Sequence, residues 1–133
     1  MNVNAPLASI LKVEIYRQTA EIGLVLGANL GDIDCEVTVR LGSEHAVACA
    51  HALRQAERLL AAGKPGHINC RPSTCIVMDI ELDRGGIVLT VHMDVGEHCF
   101  FLHGSSTISQ CAEALFAMAL KLQMPNQEKI TWH

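Results

Sequence analysis

The run His92-Met93-Asp94-Val95-Gly96-Glu97-His98 puts two imidazoles and two carboxylates within seven residues. An imidazole flanked by carboxylates suits a general base or a metal ligand. Apolar residues alternate with polar ones on both sides of Asp83-Arg84-Gly85-Gly86, which predicts a hairpin around that turn. In the expected register Leu82 faces Ile87, Ile80 faces Leu89, Met78 faces Val91 and Ile76 faces Met93, so every core-face pair is apolar. The opposite face then collects Asp79, Glu81, His92 and Asp94, with Cys75 across from Asp94 and His92 diagonal to Asp79. The chemistry expected of His92, Asp94 and Asp79 is acid–base or metal-assisted. A solvated sheet face with ordinary charges accounts for the same residues. No recognised ligand spacing is present, so neither a metal nor another cofactor is implied.

Two weaker constellations stand beside it. Ser105, Ser106 and Thr107 open the last predicted helix, where backbone amides and hydroxyls can hold an anion, with Lys64 and Arg71 reaching in from the long loop at 64–74. Helix capping by Ser105 or Ser106 is the commoner use of such residues. A single glycine at this turn also falls short of a dinucleotide or phosphate-loop fingerprint. Cys99 lies between His98 and His103, but strand neighbours point to opposite faces, so His98 and Cys99 should not meet. His45 and Cys49 are four apart on a helix and share a face, which is too few groups for a site. The Gly-x-Ser-x-Gly elbow of serine hydrolases is absent from the sequence.

The elements that must position these residues are legible in the periodicity. Leu11, Val13 and Ile15 alternate with charged or polar neighbours and predict a strand; Ile22 to Gly27 predicts a second; Cys35, Val37, Val39 and Leu41 predict a third. Asn29-Leu30-Gly31-Asp32 supplies the turn between the last two. Ser43 is the expected N-cap of a helix with Val47, Ala50, Leu53, Ala56 and Leu60 inward and Glu44, His51, Gln55 and Arg58 outward, stopped by Gly63 and Pro65. Residues 64–74 read as a long structureless loop. After the hairpin, His98 to Leu102 predicts a sixth strand, and a last helix follows from Gly104 to about Gln123. Its core face is Ile108, Cys111, Leu115, Met118, Ala119 and Leu122, yet Phe116, Ala117 and Leu120 carry apolar bulk to a second side. A helix apolar over most of its circumference is expected to be covered twice, the second time by another subunit.

The fold class expected is α+β: about six strands in a predominantly antiparallel sheet, with two main helices on one face. The order βββα–βββα suggests a duplication. On a shift of 62 positions Gly42, Ser43, Cys49, Ala50, Ala52 and Leu53 fall on Gly104, Ser105, Cys111, Ala112, Ala114 and Leu115. Chance matches of common residues account for this equally well. One domain over residues 1–133 is expected, with an arm at 1–9 and a loose tail at 126–133.

Half the residues are apolar but only 4% are aromatic, so the core must be built from aliphatic side chains, with apolar surface left for a partner. That favours a homo-oligomer, a dimer in the simplest case. Fourteen acids against ten bases argue against nucleic acid as a partner. No apolar run is long enough for a membrane helix, and the N-terminus lacks a signal-peptide pattern, so the expected location is the cytoplasm. The six cysteines are expected to be reduced there. The leading functional expectation is a small cytoplasmic binding or assembly protein that self-associates, with a small molecule or another protein as further partner. The alternatives are a small acid–base or metal-assisted enzyme on the open sheet face and a dimeric chaperone for another protein.

Overall fold

Alternating apolar residues build the strands and two amphipathic runs build the helices, in a computed structural model that describes residues 5–30, 33–70, 76–93 and 96–123. The order is β1 (Ala8–Tyr16), β2 (Glu21–Leu30), β3 (Ile33–Gly42), α1 (Ser43–Ala61), β4 (His67–Asn69), β5 (Ile76–Glu81), β6 (Gly86–Met93), β7 (Gly96–His103) and α2 (Ser105–Gln123). The architecture is α+β with antiparallel sheets, as the periodicity implies. The strands form two sheets, three in the order β1-β2-β3 and four in the order β4-β5-β6-β7, in place of one six-stranded sheet. The unexpected strand is β4, three residues inside the stretch read as structureless. His67-Ile68-Asn69 is too short for its alternation to register, and pairing with β5 is what holds it extended. The two sheets meet at the N-terminal segment, where the Phe101 N–H donates to the Pro6 carbonyl at 2.8 Å and Leu7 bridges Phe101 in parallel.

Both helices lie against the sheets and against each other. α1 packs on β2 and β3 of the first sheet and on β4 and β5 of the second, while α2 covers β1, β2 and β7. Small side chains let the helices and sheets approach closely: Ala46, Cys49, Ala50 and Ala56 on α1, and Cys111, Ala112 and Ala119 on α2, are all buried. The recurring Cys-Ala-x-Ala-Leu therefore serves packing, its members buried in both helices except Ala114, which is partly buried. Leu53 and Leu115 fill the core with Leu24, Leu26, Met78, Leu89 and Leu102.

Four local expectations are corrected. Leu11 does not face the core: a register irregularity between Ile10 and Lys12 turns it outward and Ile10 packs inward in its place, while Val13 and Ile15 face inward as the alternation predicts. The N-cap of α1 is Gly42, without a side-chain cap, and Ser43 is already helical. The hairpin register is shifted by two residues from the one the periodicity suggests, with Ile80 opposite Ile87, Met78 opposite Leu89 and Ile76 opposite Val91. Leu82 accordingly sits in the turn, partly exposed, where Gly85 takes a φ of 71° and donates to the Glu81 carbonyl at 3.0 Å. The expected turn at Gly31-Asp32 and the tail at 126–133 lie outside the described residues.

Candidate functional site

The outward face of the second sheet carries the ionisable residues that the alternation assigned to it. In β5 the inward residues are Ile76, Met78 and Ile80, all buried, which leaves Val77, Asp79 and Glu81 on the other side. In β6 His92 follows Val88 and Thr90 on that same outward face. Sharing a face does not bring Asp79 and His92 together, however. Asp79 lies opposite Val88, four residues from His92 along β6, a separation of roughly 13 Å at strand rise. Asp94 and Cys75 lie outside the described residues.

Each of the two residues has found another partner. The His67 Nδ1–H donates to Asp79 Oδ1 at 2.5 Å, because β4 places His67 directly opposite Asp79. A carboxylate only accepts, so the proton of this hydrogen bond sits on Nδ1. His92 Nδ1 lies 3.1 Å from Glu97 Oε2, its cross-strand neighbour on β7. In the sequence Glu97 stands only near His92, and His67 lies within the stretch that reads as a loop. The alternation of His67, Ile68 and Asn69 is the one local trace of the His67–Asp79 pair, and three residues are too few to read it.

Between the pairs the face is not open. Val88 and Phe101 are buried there with Ala5, and Cys99 packs against them. The Arg84 guanidinium lies 3.8 Å above the Phe101 ring and donates to the Ala5 carbonyl at 3.3 Å. Thr90, buried, contacts Cys99 Sγ at 3.5 Å. A dry patch covered by the N-terminal segment thus separates two solvent-facing carboxylate–imidazole pairs. Among the described residues, no three His, Cys, Asp or Glu side chains converge as a metal would require. His98 faces the other way from Cys99, opposite Val91, as strand geometry demands.

The anion constellation is spread out in the structure. Thr107 lines a cleft of about 650 Å³ at the junction of the sheets, together with Leu7, Leu11, Asn29, Asp34, Glu36 and His103. The carboxylates of Asp34 and Glu36 oppose an anion at that place. Ser105 and Ser106 are exposed at the start of α2, where the Ile108 N–H donates to the Gly104 carbonyl at 3.3 Å. Lys64 is exposed beyond the end of α1, with its N–H donating to the Leu59 carbonyl, and Arg71 lies outside the described residues.

Two further groupings stand apart from these, the first absent from the sequence pattern and the second expected from it. Cys70 and Cys49 share the core, and their side-chain hydrogen bond lowers the Cys70 thiol pKa while burial opposes it. On α2 the outward residues include Phe116, Ala117 and Leu120, with Phe116 and Leu120 37% and 42% exposed. The His51 ring from α1 lies 6.2 Å from the Phe116 ring and borders this apolar strip. No helix among the described residues is long and apolar enough to cross a membrane. Comparison with known protein families, curated proteins and solved structures finds no match, so the residues above are what a functional reading must rest on.

Proposed function

We propose that this chain is a small self-associating binding or assembly protein, a homodimer in its simplest form, with the outward face of α2 in the interface. The observation that carries the reading is the strip Phe116, Ala117 and Leu120, which stands in water although the opposite side of the same helix is fully buried. Large apolar side chains grouped on one exposed helix face are the mark of a contact surface. Thiols at Cys35, Cys70, Cys99 and Cys111 support a reducing compartment, and the cytoplasm is the location we propose. A duplicated βββα unit is part of the same proposal. It is supported by two helices of 19 residues each, beginning at Ser43 and Ser105, each directly after a long strand.

Light scattering at tens of micromolar tests the interface. The full chain should have the mass of a dimer or larger, and Leu120→Glu or Phe116→Asp should weaken association by about tenfold or more. A wild-type mass that neither substitution changes would overturn the assignment of α2.

The second reading, an acid–base enzyme on the outward sheet face, is favoured by one observation. The His67 Nδ1–H donates a hydrogen bond to Asp79, the arrangement that orients an imidazole so that its other nitrogen can take a proton from water or a hydroxyl. His67 and Asp79 would then take the place of the grouping of His92, Asp94 and Asp79.

A further inference from the structure

β3 is an edge strand without the usual protection. Among the described residues it hydrogen-bonds to β2 alone, in an uninterrupted register from Leu30–Ile33 to Glu21–Gly42. It is ten residues long and contains neither a proline nor a bulge. The other strands that border a sheet are blunted or covered: β4 has three residues, β1 carries the irregularity at Leu11, and β7 is bridged at Phe101 by Pro6 and Leu7. A long, regular edge presents a row of unpaired backbone groups that template another strand. Such edges are ordinarily guarded by like charges or lysines; the charges of β3 have a different pattern.

Along the outward face of β3 run Glu36, Thr38 and Arg40, opposite Gly27, Val25 and Gly23 of β2. The acid and the base are equidistant from Thr38. An antiparallel pairing of β3 with a second copy of itself, with the two-fold axis at Thr38, would set each Glu36 opposite the second copy's Arg40, twice over. On the inward face the same register sets Val37 opposite Val39 and Cys35 opposite Leu41, all apolar, and Thr38 meets Thr38 on the axis. Directly opposed residues must lie on the same face, so the two-fold can only move in steps of one residue that shift each pairing by two. Centring it on Val37 would pair Asp34 with Arg40, but the Asp34 carboxylate already accepts from Asn29 Nδ2 at 2.7 Å. The Arg40 guanidinium lies over the Tyr16 ring at 4.1 Å and meets Glu21 through Nε at 3.5 Å, both on the side of β2 and β1, so the second copy's Glu36 would share it through its terminal nitrogens.

We infer that β3 is a self-association surface, joining two copies of this chain by antiparallel β3–β3 pairing about Thr38 into one continuous six-stranded sheet. Opposite charges, apolar pairs and threonines directly across a sheet all favour pairing, and like charges there oppose it. This surface is distinct from the α2 face: α1 is the helix that reaches β3, and α2 packs on β1, β2 and β7. The inference therefore does not depend on the α2 interface.

Charge reversal in the full chain tests it, read by sedimentation equilibrium. Glu36→Arg and Arg40→Glu, each alone, replace two opposite-charge pairs by like-charge pairs and should weaken β3-mediated association about tenfold. An equimolar mixture of the two variants should associate at close to wild-type strength, since each chain then supplies the complement of the other, and the double swap E36R/R40E should do the same. Single variants that associate like wild type would overturn the inference, as would singles that weaken without recovery in the mixture while keeping the wild-type melting temperature. Leu120→Glu run in parallel separates the two surfaces. Loss with Leu120→Glu and none with the charge reversals overturns β3 pairing and leaves the α2 reading intact; the reverse result overturns the α2 reading and supports β3.

Discussion

Tyr16 lies across the outer face of the first sheet, over a floor that Gly23 leaves open, and its hydroxyl donates to Glu14 Oε2 at 2.7 Å. That hydrogen bond, with help from Lys12, holds the Glu14 carboxyl below its usual range; the same bond raises the phenol above its own, against the opposing charges of Arg40 and Lys12. Tyr16 is the sole tyrosine in the chain, so tyrosinate absorbance titrates one group. We predict a midpoint above the ordinary 10 and a return toward it in Glu14→Gln. The sign for folding follows from linkage. A phenol whose titration is raised in the folded state favours that state below 10, and the contribution is lost as pH rises through the folded midpoint. At this scale the alternation in β1 showed that Glu14 and Tyr16 share a face, but the Gly23 floor that lets the ring lie flat depends on a strand pairing that no single residue encodes.

β6 is the element around which the second sheet is arranged, buried on both faces from Gly86 to Val91. Gly86 has no room for a side chain: a Cβ there would come within 2.1 Å of the Leu102 carbonyl oxygen and 2.7 Å of Phe101 Cζ. Backbone cannot step aside as a side chain can, so Gly86→Ala should destabilise the protein by about 3 kcal/mol or more in urea unfolding. Gly23→Ala meets only the Tyr16 ring, which can swing away, and should cost about 1 kcal/mol. The hairpin of β5 and β6 also shows where periodicity stops. Changing the pairing by two residues keeps Ile76, Met78 and Ile80 on the core face, so the pattern of faces is the same in both registers. The choice fell to the turn, where Gly85 in the left-handed region closes a loop from Leu82 to Gly85 and leaves Glu81 opposite Gly86. That choice also sets Asp79 opposite Val88 and so keeps it apart from His92.

For the molecule as a whole, the helices and sheets share one aliphatic core, and Cys111 marks its interior. Burial pushes its thiol up to about 12, so the thiolate that alkylating reagents require is missing at neutral pH in the folded protein. Mass-spectrometric mapping of iodoacetamide labelling should find Cys35 and Cys99, both partly exposed, modified well before Cys111. Cys111 should react only at denaturant concentrations that unfold the chain, and early labelling would show that α2 opens separately. The same thiol makes folding weaken as pH rises from 9 toward 12, because the unfolded chain loses its proton first.

Amino-acid order alone determined what depends on near neighbours in the chain: the bounds of α1 and α2, the faces of β3, β5, β6 and β7, and the apolar strip at Phe116, Ala117 and Leu120. It could not reveal β4, the outward turn of Leu11, the join of the sheets at Pro6 and Phe101, or the pairing of His67 with Asp79. Each of these is decided by contact between segments far apart in sequence, where a three-residue strand or a two-residue slip leaves the local pattern unchanged. The candidate site belongs to the second group, because a histidine and a carboxylate twelve residues apart become partners only when two strands are laid side by side.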